Sequence, residues 1–204
     1  GGGGGGGGTY RSSQYYGGAG GNGRVVIRWG SETLNIIDND ATVTQLNVSG
    51  STDYYYSFES IIGTNSFTIT KTMTFDILII GGGGAGGYKQ GGGGGGGRGL
   101  YYTSEITNLK SGNQVTLGPG TYNVTVGNGA ERTTVGNGED GGASIIKLGS
   151  TNILIAEGGT GGGAYGENGK KLFSHQLEYI GSSPPTTFSY NKKQYIIVHS
   201  TGGN

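Results

Sequence analysis

Between residues 31 and 80 apolar and polar side chains come in short segments, each about the length of a β-strand. Leu34-Asn35-Ile36-Ile37, the stretch 42–48, the stretch 54–59 and Phe67-Thr68-Ile69-Thr70 are four such segments. Asp38-Asn39-Asp40, Gly50-Ser51 and Gly63-Thr64-Asn65 separate them with ordinary turn chemistry. In 42–48 Val43, Gln45 and Asn47 fall on one side and the other residues on the opposite one, the pattern of a half-exposed antiparallel strand. No helical period appears in this region. Ile77-Leu78-Ile79-Ile80 predicts a further strand, apolar throughout. Leu100-Tyr101-Tyr102 with Ile106 predicts another. Val115-Thr116-Leu117 and 122–127, joined by Gly118-Pro119-Gly120, predict a hairpin. Near the end, Leu172-Phe173, Leu177 and Tyr179-Ile180 lead to a Ser182-Ser183-Pro184-Pro185 break, and 194–198 reads as a last strand or an edge. The predicted fold is all-β, with antiparallel, sandwich-like strands and essentially no α-helix.

The strand at 77–80 runs straight into glycine, and this changes the picture. Glycine runs stand between Gly1 and Gly8, between Gly81 and Gly87 with Gly84 at the centre, between Gly91 and Gly97, and between Gly158 and Gly163. Gly81, Gly83 and Gly86 behind an apolar strand satisfy G-x-G-x-x-G, with Asp76 just upstream. That fingerprint needs a helix opening within the glycine turn to face a pyrophosphate. Here Tyr88-Lys89-Gln90 and seven more glycines follow, and glycine costs a helix about 0.8–1 kcal/mol per residue relative to alanine. Glu105, at about the distance of a ribose acid, lies in polar sequence and not at the end of a second strand. Gly169-Lys170 fails as a phosphate loop, with Ala164 and Lys171 where glycine and Ser or Thr are required. No cofactor is expected.

Flexible linkers are the usual fate of glycine tracts, but these runs share a similar length and alternate with strands. An extended left-handed helix of three residues per turn makes no internal hydrogen bonds, so its peptide groups point outward. If every residue is glycine, all three faces can lie against neighbours. Seven residues then span about 20 Å. The expectation is a bundle of such rods framed by β-strands, each peptide group paired with an adjacent rod.

Composition narrows the function. Of 204 residues 50 are glycine, 31% are hydrophobic and 13% are charged, with 13 basic against 13 acidic side chains. A net charge of zero argues against a nucleic-acid binder or a polybasic membrane anchor. No cysteine means no disulfide and no thiolate metal site. No apolar run reaches the roughly 18 residues of a membrane helix. The start at Gly1, without methionine or signal peptide, points to a processed product or an excerpt of something longer. His175 and His199 lack a nucleophile motif beside them. Asp38-Asn39-Asp40 lacks the glycine and glutamate of an EF-hand, and 136–140 is a single, imperfect copy of a calcium-binding nonapeptide that works only in stacks. Asn47-Val48-Ser49 and Asn123-Val124-Thr125 are glycosylation sequons that matter only in a secreted eukaryotic setting. No metal site and no catalysis are expected.

The segment GGNGRVVIRW (20–29), with PGTYNVTVGNGA (119–130), NGEDGGAS (137–144), ILIAEGGTGGGAYG (153–166) and DILIIGGGGAGG (76–87), resembles the glycine-rich domains of viral and bacteriophage fibre and tail proteins. The resemblance covers about 66–166 and 17–29. It implies a polyglycine bundle framed by strands, with roles in binding or assembly. In that family the opening strand comes first and the GGNGRVVIRW-like strand last. Here the closing half (1–30) precedes a β-segment (31–80), the opening half (81–166) and a C-terminal β-segment (167–204). Thr201-Gly202-Gly203-Asn204 would join naturally to Gly1. Two arrangements follow: the chain is one period of a repeating protein or completes a neighbouring copy's bundle, or both halves fold together within one chain.

The expected function is a structural, self-assembling subunit or repeat of an extracellular or virion fibre. Its partners are copies of itself, joined head to tail. Val25, Ile27 and Trp29, and Tyr195 and Ile197 in the last strand, are the assembly-strand candidates. Tyr10, Tyr15, Tyr16, Tyr88, Tyr101, Tyr102 and Tyr165 lie beside glycine runs, as caps over a bundle end or as stacking residues for a ligand. The alternative is an adhesin tip that recognises a cell-surface glycan or protein.

Overall fold

A computed structural model describes residues 1–7, 9–10, 13–30, 34–37, 53–59, 61–103, 113–165, 187–190 and 193–196. Its strands are β1 (Thr9–Tyr10), β2 (Ser13–Gln14), β3 (Arg24–Trp29), β4 (Asn35–Ile37), β5 (Tyr54–Phe58), β6 (Asn65–Ile69) and β7 (Met73–Ile80). After these come β8 (Gly99–Tyr102), β9 (Val115–Leu117), β10 (Gly120–Thr125), β11 (Ser144–Leu148), β12 (Thr151–Ala156), β13 (Thr187–Tyr190) and β14 (Lys193–Ile196). All pairings are antiparallel, and the described residues contain no helix. The predicted strand at 42–48, Glu105, Ile106, both histidines, Asp38-Asn39-Asp40, the Asn47 sequon and Ile197 lie outside the described residues.

Two five-stranded sheets carry the fold. One has the order β5-β3-β7-β8, with β9 also on β7, and the other the order β12-β11-β10-β6-β4. Alternation decides which side chains meet between them. Along β3, Val25, Ile27 and Trp29 turn inward while Arg24 is exposed and Val26 and Arg28 are half-buried. Phe75, Ile77 and Ile79 of β7 turn the same way. From the other sheet come Phe67, Tyr122 and Ile146. Phe67 sits at the centre, its ring centroid 5.1 Å from Tyr122, 5.8 Å from Phe75 and 6.3 Å from Phe58. Asp76, on the other face of β7, is 5% exposed and pairs at 3.2 Å with Arg28, which also reaches Asp53 at 3.0 Å.

One expectation needs correction. Val115–Leu117 and the strand after it do not form a hairpin, because β9 pairs with β7 whereas β10 pairs with β6 and β11. Gly118-Pro119-Gly120 therefore carries the chain from one sheet to the other, and the Tyr122 hydroxyl fastens this corner by donating to the Gly118 carbonyl at 2.9 Å. Val25, Ile27 and Trp29 belong to an interior strand. β3 lies between β5 and β7, and these side chains are 0%, 0% and 4% exposed because they are core. Tyr195 stands in β14 opposite Phe188 of β13.

Candidate functional site

Six strands of the two sheets run on directly into extended segments with no sheet pairing. β3 is entered from 15–23, β7 opens into 81–88, and 91–98 leads into β8. β10 opens into 127–133, 136–143 returns to β11, and β12 opens into 158–164. Residues 1–7 are a seventh segment of the same kind.

The 81–88 rod is the axis. Every N–H from Gly81 to Tyr88 donates to a backbone carbonyl, and its partner rod changes with a period of three. Gly81, Gly84 and Gly87 donate to Arg98, Gly95 and Gly92, each at 2.9 Å. Gly82, Ala85 and Tyr88 donate to Gly142, Glu139 and Gly136 at 2.8–3.0 Å. Gly83 and Gly86 donate to Gly21 and Gly18 at 2.8 and 2.9 Å. The axial carbonyls accept from the other three rods: Gly84 and Gly87 from Gly4 and Gly7, Gly82 and Ala85 from Gly159 and Gly162, and Gly83 from Ala130. Three donor directions and three acceptor directions give six neighbours. The three that accept run antiparallel to the axis, and the three that donate run parallel to it.

The six neighbours also close on one another. Gly18 donates to Gly5, Gly94 to Gly4, Gly95 to Thr160, Gly141 to Gly159, Gly142 to Asn128 and Gly20 to Ala130, at 2.6–2.8 Å. The ring order is thus 1–7, 91–98, 158–164, 136–143, 127–133, 15–23 and back to 1–7. Along the rods φ stays negative, since the described glycines at positive φ are Gly63, Gly120, Gly136 and Gly149, and only Gly136 touches a rod, at its first residue. This is the left-handed three-residue helix expected of 81–87 and 91–97.

Glycine is demanded by direction. A Cβ on Gly83 would run into the Gly2 carbonyl, one on Gly84 into Thr160, and one on Gly86 into Gly5, all closer than 3.0 Å. Outward positions tolerate side chains, so Tyr16, Ala19 and Asn22 recur every third residue on one ring rod, and Asn128 and Glu131 on another. Some of these side chains stand in where no further rod exists. Asn22 Oδ1 accepts from Gly129 N–H, Asp140 Oδ1 from Gly161 and Asn137 Oδ1 from Ala164, at 2.7–2.9 Å. Where the sandwich meets the bundle, buried Ser144 donates to the Ile80 carbonyl at 2.6 Å and accepts from Gly127 N–H at 2.9 Å, tying both sheets to the axis.

The dinucleotide reading is excluded by the same geometry, because Gly81, Gly83 and Gly86 lie on an extended rod that no helix follows. Among the described residues no group of three or more His, Cys, Asp or Glu is placed to hold a metal, and no helix is long and apolar enough to cross a membrane. Of the run boundaries, Gly1, Gly81, Gly84, Gly87, Gly91, Gly97, Gly158 and Gly163 stand in the bundle, and Gly8 lies outside the described residues.

Side chains gather at the bundle end away from the sandwich. The axial rod finishes at Tyr88 and turns through Lys89 and Gln90, both exposed, at φ 50° and 57°. These are the non-glycine residues at positive φ among those described, and the conformation costs an L-residue about 1–2 kcal/mol. Lys89 N–H donates to the Tyr15 carbonyl at 3.4 Å and Tyr165 N–H to the Tyr88 carbonyl at 3.3 Å, so Tyr15 and Tyr165 flank the turn. The Tyr16 ring stacks on Tyr88 at 6.1 Å and carries the Arg132 guanidinium at 4.8 Å. The seven tyrosines thus separate. Tyr16 and Tyr88 form a capping stack, Tyr15 and Tyr165 flank the turn, and Tyr101 and Tyr102 sit on β8 opposite Leu78 and Ile77, at the sandwich end. Of Tyr10 the structure describes the backbone, in β1.

The rods 127–133 and 136–143 escaped the sequence reading because they are not glycine runs. Their signal is a small residue every third position: Gly127, Ala130 and buried Thr133, then Gly138, Gly141 and buried Ser144. No curated protein and no solved structure matches the chain. The family model described as a glycine-rich domain matches residues 59–192, a stretch that holds five of the seven rods and leaves out 1–7 and 15–23. The chain belongs to this glycine-rich domain family.

Proposed function

We propose that the protein is a structural module of an extracellular or virion fibre, a subunit or repeat that associates head to tail with copies of itself and performs no catalysis. The observation that carries this reading is the placement of residues 1–29. They supply two of the six ring rods and the strand between β5 and β7, yet they lie outside the family-matched stretch. The same hydrogen bonds form equally well when this segment comes from the next copy. Such an exchange is heterologous and has no reason to close, so it builds a filament. The chain has no cysteine, which makes the test clean. Val26 and Leu78 are paired across β3 and β7, and a Val26→Cys/Leu78→Cys variant should give a ladder of covalent multimers under oxidation, with filaments by negative stain. Covalent monomer alone, with a monomeric mass at high concentration, would refute assembly by exchange.

A second reading has its own support. Tyr15 and Tyr165 are 49% and 66% exposed on either side of the Lys89 turn, as befits a tip that recognises a cell-surface glycan or protein. Binding of the monomer to cells that is lost in Tyr15→Ala/Tyr165→Ala, with folding intact, tests it.

A further inference from the structure

The chain places a glycine at nearly every position of its central hairpin except the two where the backbone would most benefit from one. Residues 81–87 and 91–97 contain one non-glycine, Ala85, while the turn between them is Lys89-Gln90 in left-handed conformation. A two-residue turn with both φ positive favours Asn-Gly or Gly-Gly. Both side chains are exposed. Strain held against an available remedy, at a point where exposed side chains converge, points to a site.

What converges there has a definite chemistry. Lys89 has no ion pair among the described residues, and exposed Arg132 offers a second positive charge, with its guanidinium over Tyr16. Tyr15 and Tyr165 add exposed aromatic rings on two sides of the turn, and Gln90 adds an amide. Glu131, next to Arg132, is the nearby acid in sequence. Tyrosine faces pack against the C–H faces of sugar rings, cations pair with carboxylate or sulfate, and an amide bonds to hydroxyls. The Tyr16 ring is already engaged by Tyr88 and by Arg132, so the stacking falls to Tyr15 and Tyr165.

We propose that the Lys89-Gln90 turn, with Tyr15, Tyr165 and Arg132, is a binding site for an acidic oligosaccharide. The proposal rests on the tip-recognition reading and is independent of filament formation, which the engineered disulfide reads separately.

The test uses the full chain, with 3′-sialyllactose, trigalacturonate and a heparin-derived tetrasaccharide as probes against lactose and maltotriose, by calorimetry. At least one acidic probe should bind ten-fold or more tightly than the neutral ones. Lys89→Asn/Gln90→Gly, which installs the relaxed turn, should raise Tm by about 2–4 °C or more and weaken that binding at least ten-fold. Tyr165→Ala, on an exposed side chain, should weaken it without a change in Tm. Three results would each overturn the proposal: no acidic probe binds, neutral and acidic probes bind alike, or both variants fold and bind as the parent does.

Discussion

The sandwich and the bundle are held together by opposite means. In the sandwich Phe58, Phe67, Phe75, Ile77 and Tyr122 are almost wholly buried, and removal of their apolar surface from water is the driving force. In the bundle the axial rod has one methyl group, on Ala85, and every N–H of 81–88 is paired instead. Each such bond contributes about 0.5–1.5 kcal/mol net, but one left buried and unmade costs about 1–3 kcal/mol. The sandwich therefore depends on how much apolar surface it buries, whereas the bundle depends on each axial hydrogen bond being made. The comparison also explains why the two parts occur together. Ordered glycine loses more conformational entropy than any other residue, and strands that feed six rods hold their ends in place.

The largest expected effect tests the sandwich half of this contrast. Phe67→Ala removes the ring around which the other aromatics pack and should cost about 3–5 kcal/mol, read as a fall in Tm of the whole chain. Next comes the axis. Gly83→Ala places a methyl group against the Gly2 carbonyl and should cost about 1–3 kcal/mol, with the amides of 81–88 losing hydrogen-exchange protection before those of β7 and β10. Equal protection in both regions would dissolve the distinction. Ser144→Ala, at the junction, strands the Ile80 carbonyl and the Gly127 N–H and should cost about 1–3 kcal/mol.

Smaller effects sharpen the comparison. Burial holds the Tyr122 hydroxyl above the ordinary 10.0, so its ionisation is costlier in the folded chain than in the unfolded one. Stability from this group is present below pH 10 and declines as pH rises past the unfolded value. Tyr122→Phe should cost about 1 kcal/mol at neutral pH and flatten that alkaline decline in a pH series of melts. Gly2→Ala should change least, within about 0.5 kcal/mol, because a Cβ there meets nothing within 4 Å. The contrast between Gly2 and Gly83, identical residues on neighbouring rods, is the most direct check that direction from the axis sets the need for glycine.

Much of this architecture was legible in local sequence. Residues 24–29 announced a strand, and the similar lengths of the runs 81–87 and 91–97 and their alternation with strands favoured extended rods over linkers, since glycine disfavours helix and leaves every peptide group to find a partner. The same local pattern could not say that β3 lies inside a sheet, between β5 and β7. It also read Gly118-Pro119-Gly120 as a hairpin turn, because a turn between two strands looks the same whether they pair with each other or with different sheets.

The sequence of this chain, taken alone, determined that its strands would be antiparallel and its glycine runs rod-like, because short turn segments join the strands and glycine runs disfavour helix. The tertiary structure decided that seven rods and not four or five stand among the described residues, that the axis is 81–88, and that 127–133 and 136–143 complete the ring despite their side chains. The reason is geometric. A rod has three directions, and only its position in the hexagon fixes which of them must be bare.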